Sequence, residues 1–109
     1  MPVEKEGWLT LQEQEDKFKV WKRRWTVVKA NRMFYYVDRN AKDPVAFVKL
    51  NNCKVQRADE QTRKPNSFVI VHKENESIQP ANYIYTNTDE QCQDWIDFLT
   101  KKFKTLEGK

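Results

Sequence analysis

The sequence predicts a mainly β fold: seven short antiparallel strands in a bent barrel or sandwich, capped by one C-terminal amphipathic helix. Three observations lead there. Segments rich in aromatic and β-branched residues recur, separated by short polar or turn-forming stretches. The period then changes: Cys92, Trp95, Ile96, Leu99 and Phe103 fall at i, i+3, i+4, i+7 and i+11, which is one stripe of a helix. A chain of 109 residues with 13% aromatics is one domain with a small core.

The first strand is read over Gly7–Leu11, followed by a polar, acidic loop from Gln12 to Asp16. Val20–Lys29 alternates and forms strand two; Ala30-Asn31 is a tight turn; Met33–Val37 is strand three. A charged loop from Asp38 ends at Pro44, a strand breaker. Ala46–Leu50 and Cys53–Arg57 are strands four and five around an Asn51-Asn52 turn. A polar loop covers 58–66, Ser67–His72 is strand six, 73–80 is a loop and Tyr83–Thr86 is strand seven. Thr88 is placed to N-cap the helix, with Gln91 as the second half of a capping box. Asp89 and Glu90 near its start and Lys101, Lys102 and Lys104 near its end suit the helix dipole. Trp95 is expected to plug the open end of the barrel. Residues 1–5 and 105–109 are read as flexible ends of a single domain, 1–109, excised from a larger protein.

Charge is unevenly spread. Residues 17–42 hold nine Lys/Arg and one acid, Asp38, within a chain whose net charge is +4. Such a positive sector attracts phospholipid, nucleic acid or an acidic partner. No apolar run approaches the roughly 20 residues of a membrane span, and no secretory h-region follows Met1. Cys53 and Cys92 fit no metal-ligand spacing; of a disulfide between them and a reduced pair, the reduced pair is expected. No nucleophile–base pair, metal cluster or phosphate-cradling glycine loop is visible, so neither an enzyme nor a cofactor is expected.

The stretch KFKVWKRRWTVV, residues 17–28, concentrates the basic charge. Strand alternation places Lys22, Arg24 and Thr26 on one face and Trp21, Arg23, Trp25 and Val27 on the other. Glu6-Gly7-Trp8-Leu9, Trp21-Lys22-Arg23-Arg24-Trp25, Tyr35-Tyr36, Phe47-Val48-Lys49-Leu50 and the helix Trp95, in this order, resemble a pleckstrin-homology (PH) domain over nearly the whole chain. Lys64-Pro65-Asn66-Ser67-Phe68 is similar to the cytohesin-type PH domains.

The resemblance implies a phosphoinositide head-group site at the end of the barrel opposite the helix. It makes Lys22 and Arg24 phosphate ligands, places Tyr36 near the site by its hydroxyl, and puts Lys17 and Lys19 within reach of a head group or the bilayer. Arg39 and Lys42 form a second wall. Arg offers a planar fork to phosphate oxygens and Lys a point charge. Phe18, between two lysines, either inserts into the membrane interface or packs under its loop. Two departures weaken the pattern: the strand-one Lys of tight binders is Leu11 here, and the Arg after the strand-four proline is Val45. Each lost contact is worth about 1.5–3 kcal/mol, so two weaken a site by roughly a hundredfold or more. Arg23, Trp8, Trp25, Cys92, His72 and the Arg63-Lys64 pair read as structural or solvated.

The expected function is a cytoplasmic, non-catalytic module, monomeric and recruited peripherally to membranes. It would bind phosphoinositides or anionic lipid with modest affinity. The alternative is a protein-interaction module whose partner is a peptide or a small GTPase, with weak or no lipid binding. Nucleic acid is not an expected partner.

Overall fold

A computed structural model describes residues 2–73 and 81–108. The chain forms two compact units, Met1–Leu50 and Asn51–Lys109. Seven strands and a C-terminal helix appear in the predicted order, and the recorded strand pairings are all antiparallel.

The first unit is a four-strand meander: β1 (Lys5–Glu15), β2 (Phe18–Lys29), β3 (Arg32–Tyr36) and β4 (Ala46–Lys49). β1 and β2 form a long hairpin paired from Lys5↔Val28 to Glu15↔Phe18. The expected loop from Gln12 to Asp16 is therefore strand almost to its end. Polar residues cannot be buried cheaply, but a two-stranded ribbon satisfies their backbone groups without burying their side chains. The connection shrinks to Asp16 and Lys17, with Asp16 at φ 54°. Aspartate tolerates that left-handed region better than most residues. The second turn, Ala30-Asn31, joins Lys29 to Arg32 as expected, with Ala30 at φ 51°. The inner face of the meander carries Leu9, Leu11, Thr26, Val28, Met33, Tyr35 and Val48, all buried.

The second unit contains β5 (Cys53–Arg57), the one-turn helix α1 (Asp59–Thr62), β6 (Ser67–His72), β7 (Asn82–Tyr85) and α2 (Asp89–Glu107). α1 lies within the stretch read as a polar loop. Its Asp59 carboxylate accepts from the backbone N–H groups of Asn66 and Ser67, both at 3.2 Å. Side-chain hydrogen bonds to the backbone of this kind are invisible to hydrophobic periodicity. β6 pairs with both β5 and β7, and Ser67, Phe68, Val69 and Ile70 are buried in succession. The loop read over 73–80 lies, from residue 74 on, outside the described residues.

Thr88 Oγ1 accepts from the Gln91 N–H at 3.1 Å and caps α2. Cys92, Trp95, Leu99 and Phe103 are the buried stripe of α2, which packs on β5 and β6. Residues 105–107, read as part of a flexible end, are the last turn of this helix. Arg57 ties the unit together. It donates to Asp89 at 2.6 Å, to Asp59 at 3.3 Å and to the Cys92 sulfur at 3.1 Å. Both cysteines are buried and free.

Candidate functional site

Parity sorts the side chains of the β1–β2 hairpin. Lys22 lies opposite Leu11 and Arg24 opposite Leu9, and directly paired residues share a face. Lys22 and Arg24 are therefore on the core side of the sheet, where the buried leucines give way to solvent.

Both cations lean toward the hairpin tip and meet acids there. Arg24 donates from Nε and Nη2 to the two carboxylate oxygens of Glu13, each at 2.8 Å. Lys22 Nζ stands 3.2 Å from Glu15 Oε2. Each acid sits four positions further along β1 than the residue directly opposite its base. The hydrogen bond to Glu13 raises the Arg24 pKa, while burial opposes it. The Arg24 side chain keeps only 17% of its surface exposed. One edge of its guanidinium, the Nε–Nη2 fork, is thus already occupied by a carboxylate. The acids of the Gln12–Asp16 segment do more than repel phosphate in general, since two of them bind the candidate ligands directly.

The tip itself is open. Lys17 occupies the turn, and Phe18 is 72% exposed. Lys19 is exposed as well, and neither lysine makes an ion pair among the described residues. Of the two positions read for Phe18, packing under the loop does not occur. The two departures from the expected pattern have different origins. Leu11 is 5% exposed and belongs to the core, whereas Val45 is half exposed and donates its N–H to the Tyr35 carbonyl at 2.7 Å.

The other face corrects two expectations. Tyr36 pairs with Trp25, so it lies on the outer face of the sheet, away from Lys22 and Arg24. The tyrosine sharing the face of Arg24 and Thr26 is Tyr35, which pairs with Thr26. The two-residue turn sets this parity, and counting back from Lys29↔Arg32 would have found it in the sequence. Arg39 and Lys42 are not a second wall for Lys22 and Arg24 either. They line an outer cleft of about 300 Å³ together with Trp25, Lys29, Tyr36 and Glu6. Lys29 was absent from the expected site because it ends a strand and has no neighbouring basic motif.

The tryptophans of the outer face are structural partners for one another and for arginines. Trp8 and Trp25 meet edge to face at 5.4 Å. Arg23 lies 4.1 Å over the Trp8 ring and Arg39 4.9 Å over the Trp25 ring. Such contacts are worth about 0.5–1 kcal/mol at exposed positions. No helix among the described residues is long and apolar enough to cross a membrane. No group of three or more His, Cys, Asp or Glu among them could hold a metal ion.

Comparison with known proteins gives the fold a family context. The family model described as PH domain matches residues 3–102. The Rho GTPase-activating protein gacFF of Dictyostelium discoideum is 32% identical over 93% of the chain, which spans 12% of that protein. Cytohesin-2 of Mus musculus is 34% identical over 62% of the chain, which spans 16% of that protein. Among solved structures, the C-terminal PH domain of pleckstrin in complex with D-myo-Ins(1,2,3,4,5)P5 superposes with a TM-score of 0.74. It is 22% identical, over 94% of this chain and 99% of that one.

Proposed function

The chain belongs to the PH domain family, and from that premise we propose that it is a membrane-targeting or adaptor module of modest affinity for phosphoinositides or anionic lipid. The PH domain is a non-catalytic module, so any catalysis would reside elsewhere in a parent protein. The carrying observation is the division of labour along the β1–β2 hairpin. Lys22 and Arg24 are held by Glu15 and Glu13, while among the described residues Lys17 and Lys19 make no ion pair and Phe18 is exposed at the tip. General attraction of surface lysines to anionic lipid is worth about 1 kcal/mol each and is screened by salt. Phe18 adds an apolar anchor at the interface. The inositol phosphate complex of the pleckstrin PH domain supports an inositol phosphate as a soluble probe.

Co-sedimentation with phosphatidylserine vesicles at two salt concentrations tests this. Binding should weaken at the higher salt, drop about twentyfold to thirtyfold in the Lys17→Ala/Lys19→Ala variant, and drop further with Phe18→Ala. Binding that ignores salt and these substitutions would overturn the reading. The occupied fork of Arg24 favours a second reading, a protein-interaction module. Capture of a peptide or small GTPase by a protein that binds no anionic vesicle would select it. In either case the localisation proposed is cytoplasmic.

A further inference from the structure

We propose that the outer face of the meander carries a second binding site, for a phosphomonoester group, in the cleft between the β2–β3 sheet and the loop after β3. The site is separate from the hairpin tip and goes beyond the membrane reading. Trp25 and Tyr36, directly paired across β2 and β3, form its aromatic side. The loop after β3 folds back over them. Asp38 accepts from the Asn40 N–H at 2.8 Å through its carboxylate and from the Ala41 N–H at 3.3 Å through its carbonyl. This turn brings Arg39 to 4.9 Å over the Trp25 ring and Lys42 to the rim. Lys29 closes the cleft from the end of β2.

The charge balance distinguishes this cleft from the hairpin. Its lining has three cations, Lys29, Arg39 and Lys42, and one acid, Glu6. Among the described residues Lys29 and Lys42 make no ion pair, and the contact of Arg39 is with a ring. Like charges gathered around one cavity repel unless an anion joins them. An arginine over an aromatic face still has N–H donors for an oxyanion. Two ammonium groups, a guanidinium and the Tyr36 hydroxyl supply more donors than a carboxylate can use, and suit the three oxygens and double charge of a phosphomonoester. A cavity of about 300 Å³ accommodates such a group with part of the molecule that bears it.

The test is an amide NMR titration with inorganic phosphate, with chloride at matched ionic strength as control. Shifts are expected around Lys29, Tyr36, Arg39 and Lys42. They should persist in Lys22→Ala/Arg24→Ala and weaken at least about tenfold in affinity in Arg39→Gln/Lys42→Gln. Arg39→Lys should keep part of the affinity, showing that charge rather than folding is at issue. Shifts confined to residues 17–24, equal shifts with chloride, or an unchanged affinity in Arg39→Gln/Lys42→Gln would overturn the proposal. The phosphate arm contains no membrane, so a failure to bind phosphatidylserine vesicles leaves it standing. A parallel arm with phosphatidylcholine vesicles containing phosphatidic acid identifies the source. Loss of vesicle binding in Arg39→Gln/Lys42→Gln points to a lipid head group, and retention to a soluble phosphate ester.

Discussion

Glu13 decides how much of Arg24 is available to a ligand. Its two oxygens take the Nε–H and an Nη2–H of Arg24, so a phosphate must displace them or use the remaining Nη N–H groups. Glu13→Gln keeps the size of the side chain and removes one negative charge at the hairpin. Binding to phosphatidylserine vesicles should then strengthen about fivefold, the worth of roughly 1 kcal/mol of surface charge. Equal or weaker binding in co-sedimentation would show that Arg24 does not face the membrane. Cys53 offers a pH test of packing. Burial pushes its thiol from an ordinary value of 9.0 up to about 11, against a smaller opposing pull from Lys73. The neutral thiol also donates to the Asn51 carbonyl at 3.4 Å. A raised folded-state pKa stabilises the protein fully below the ordinary value and loses that contribution as pH rises through the folded one. Urea midpoints should therefore fall between pH 9.0 and about 11 more steeply for the parent protein than for Cys53→Ala.

The elements differ in how openly the sequence displays them. α2 is legible up to its last turn, residues 105–107, because its period, its N-cap and its end charges agree, and each is a local property. The N-cap is also its most exposed weakness: Thr88→Ala leaves the Gln91 N–H without its side-chain acceptor. That should cost about 1 kcal/mol in chemical denaturation. Strands five and six were read to their observed ends, since turn residues bound them on both sides. The sequence shows β1 over Gly7–Leu11, two residues short at its start and four at its end, where Gln12–Glu15 pair with β2 without becoming buried. The site was legible as a set of residues but not as an arrangement. Alternation correctly paired Lys22 with Arg24, and the same rule carried across the Ala30-Asn31 turn puts Tyr36 on the outer face. The outer position of Arg39 and Lys42 had no such signal, because an irregular loop has no period to follow.

At the scale of the whole molecule, charge and core are divided between the two units. The first fifty residues hold eleven Lys/Arg and seven Asp/Glu, and the remaining fifty-nine hold nine of each. All of the net +4 therefore belongs to the unit with the basic hairpin and the outer cleft. On the proposed reading, association with anionic surfaces would fall to that unit, and its rate should fall as salt rises. The second unit contributes the helix. Trp95 is 5% exposed on the buried stripe of α2. Trp95→Ala should cost about 3–5 kcal/mol, a large share of the roughly 5–15 kcal/mol that holds a domain together. A denaturation midpoint equal to that of the parent protein would mean that this residue contributes nothing to the core.

The sequence by itself determined the order of elements, the family and the concentration of basic charge in residues 17–42. These follow from local periodicity, turn chemistry and composition, none of which needs distant residues to be brought together. Only the tertiary structure decided which cations are spent. Glu13 and Glu15 reach Arg24 and Lys22 because the hairpin continues past the last apolar residue of β1. Lys29, Arg39 and Lys42 gather because a loop folds back over Trp25. Ion pairing depends on a few ångströms between side chains from different segments, a distance that no pattern along one strand contains.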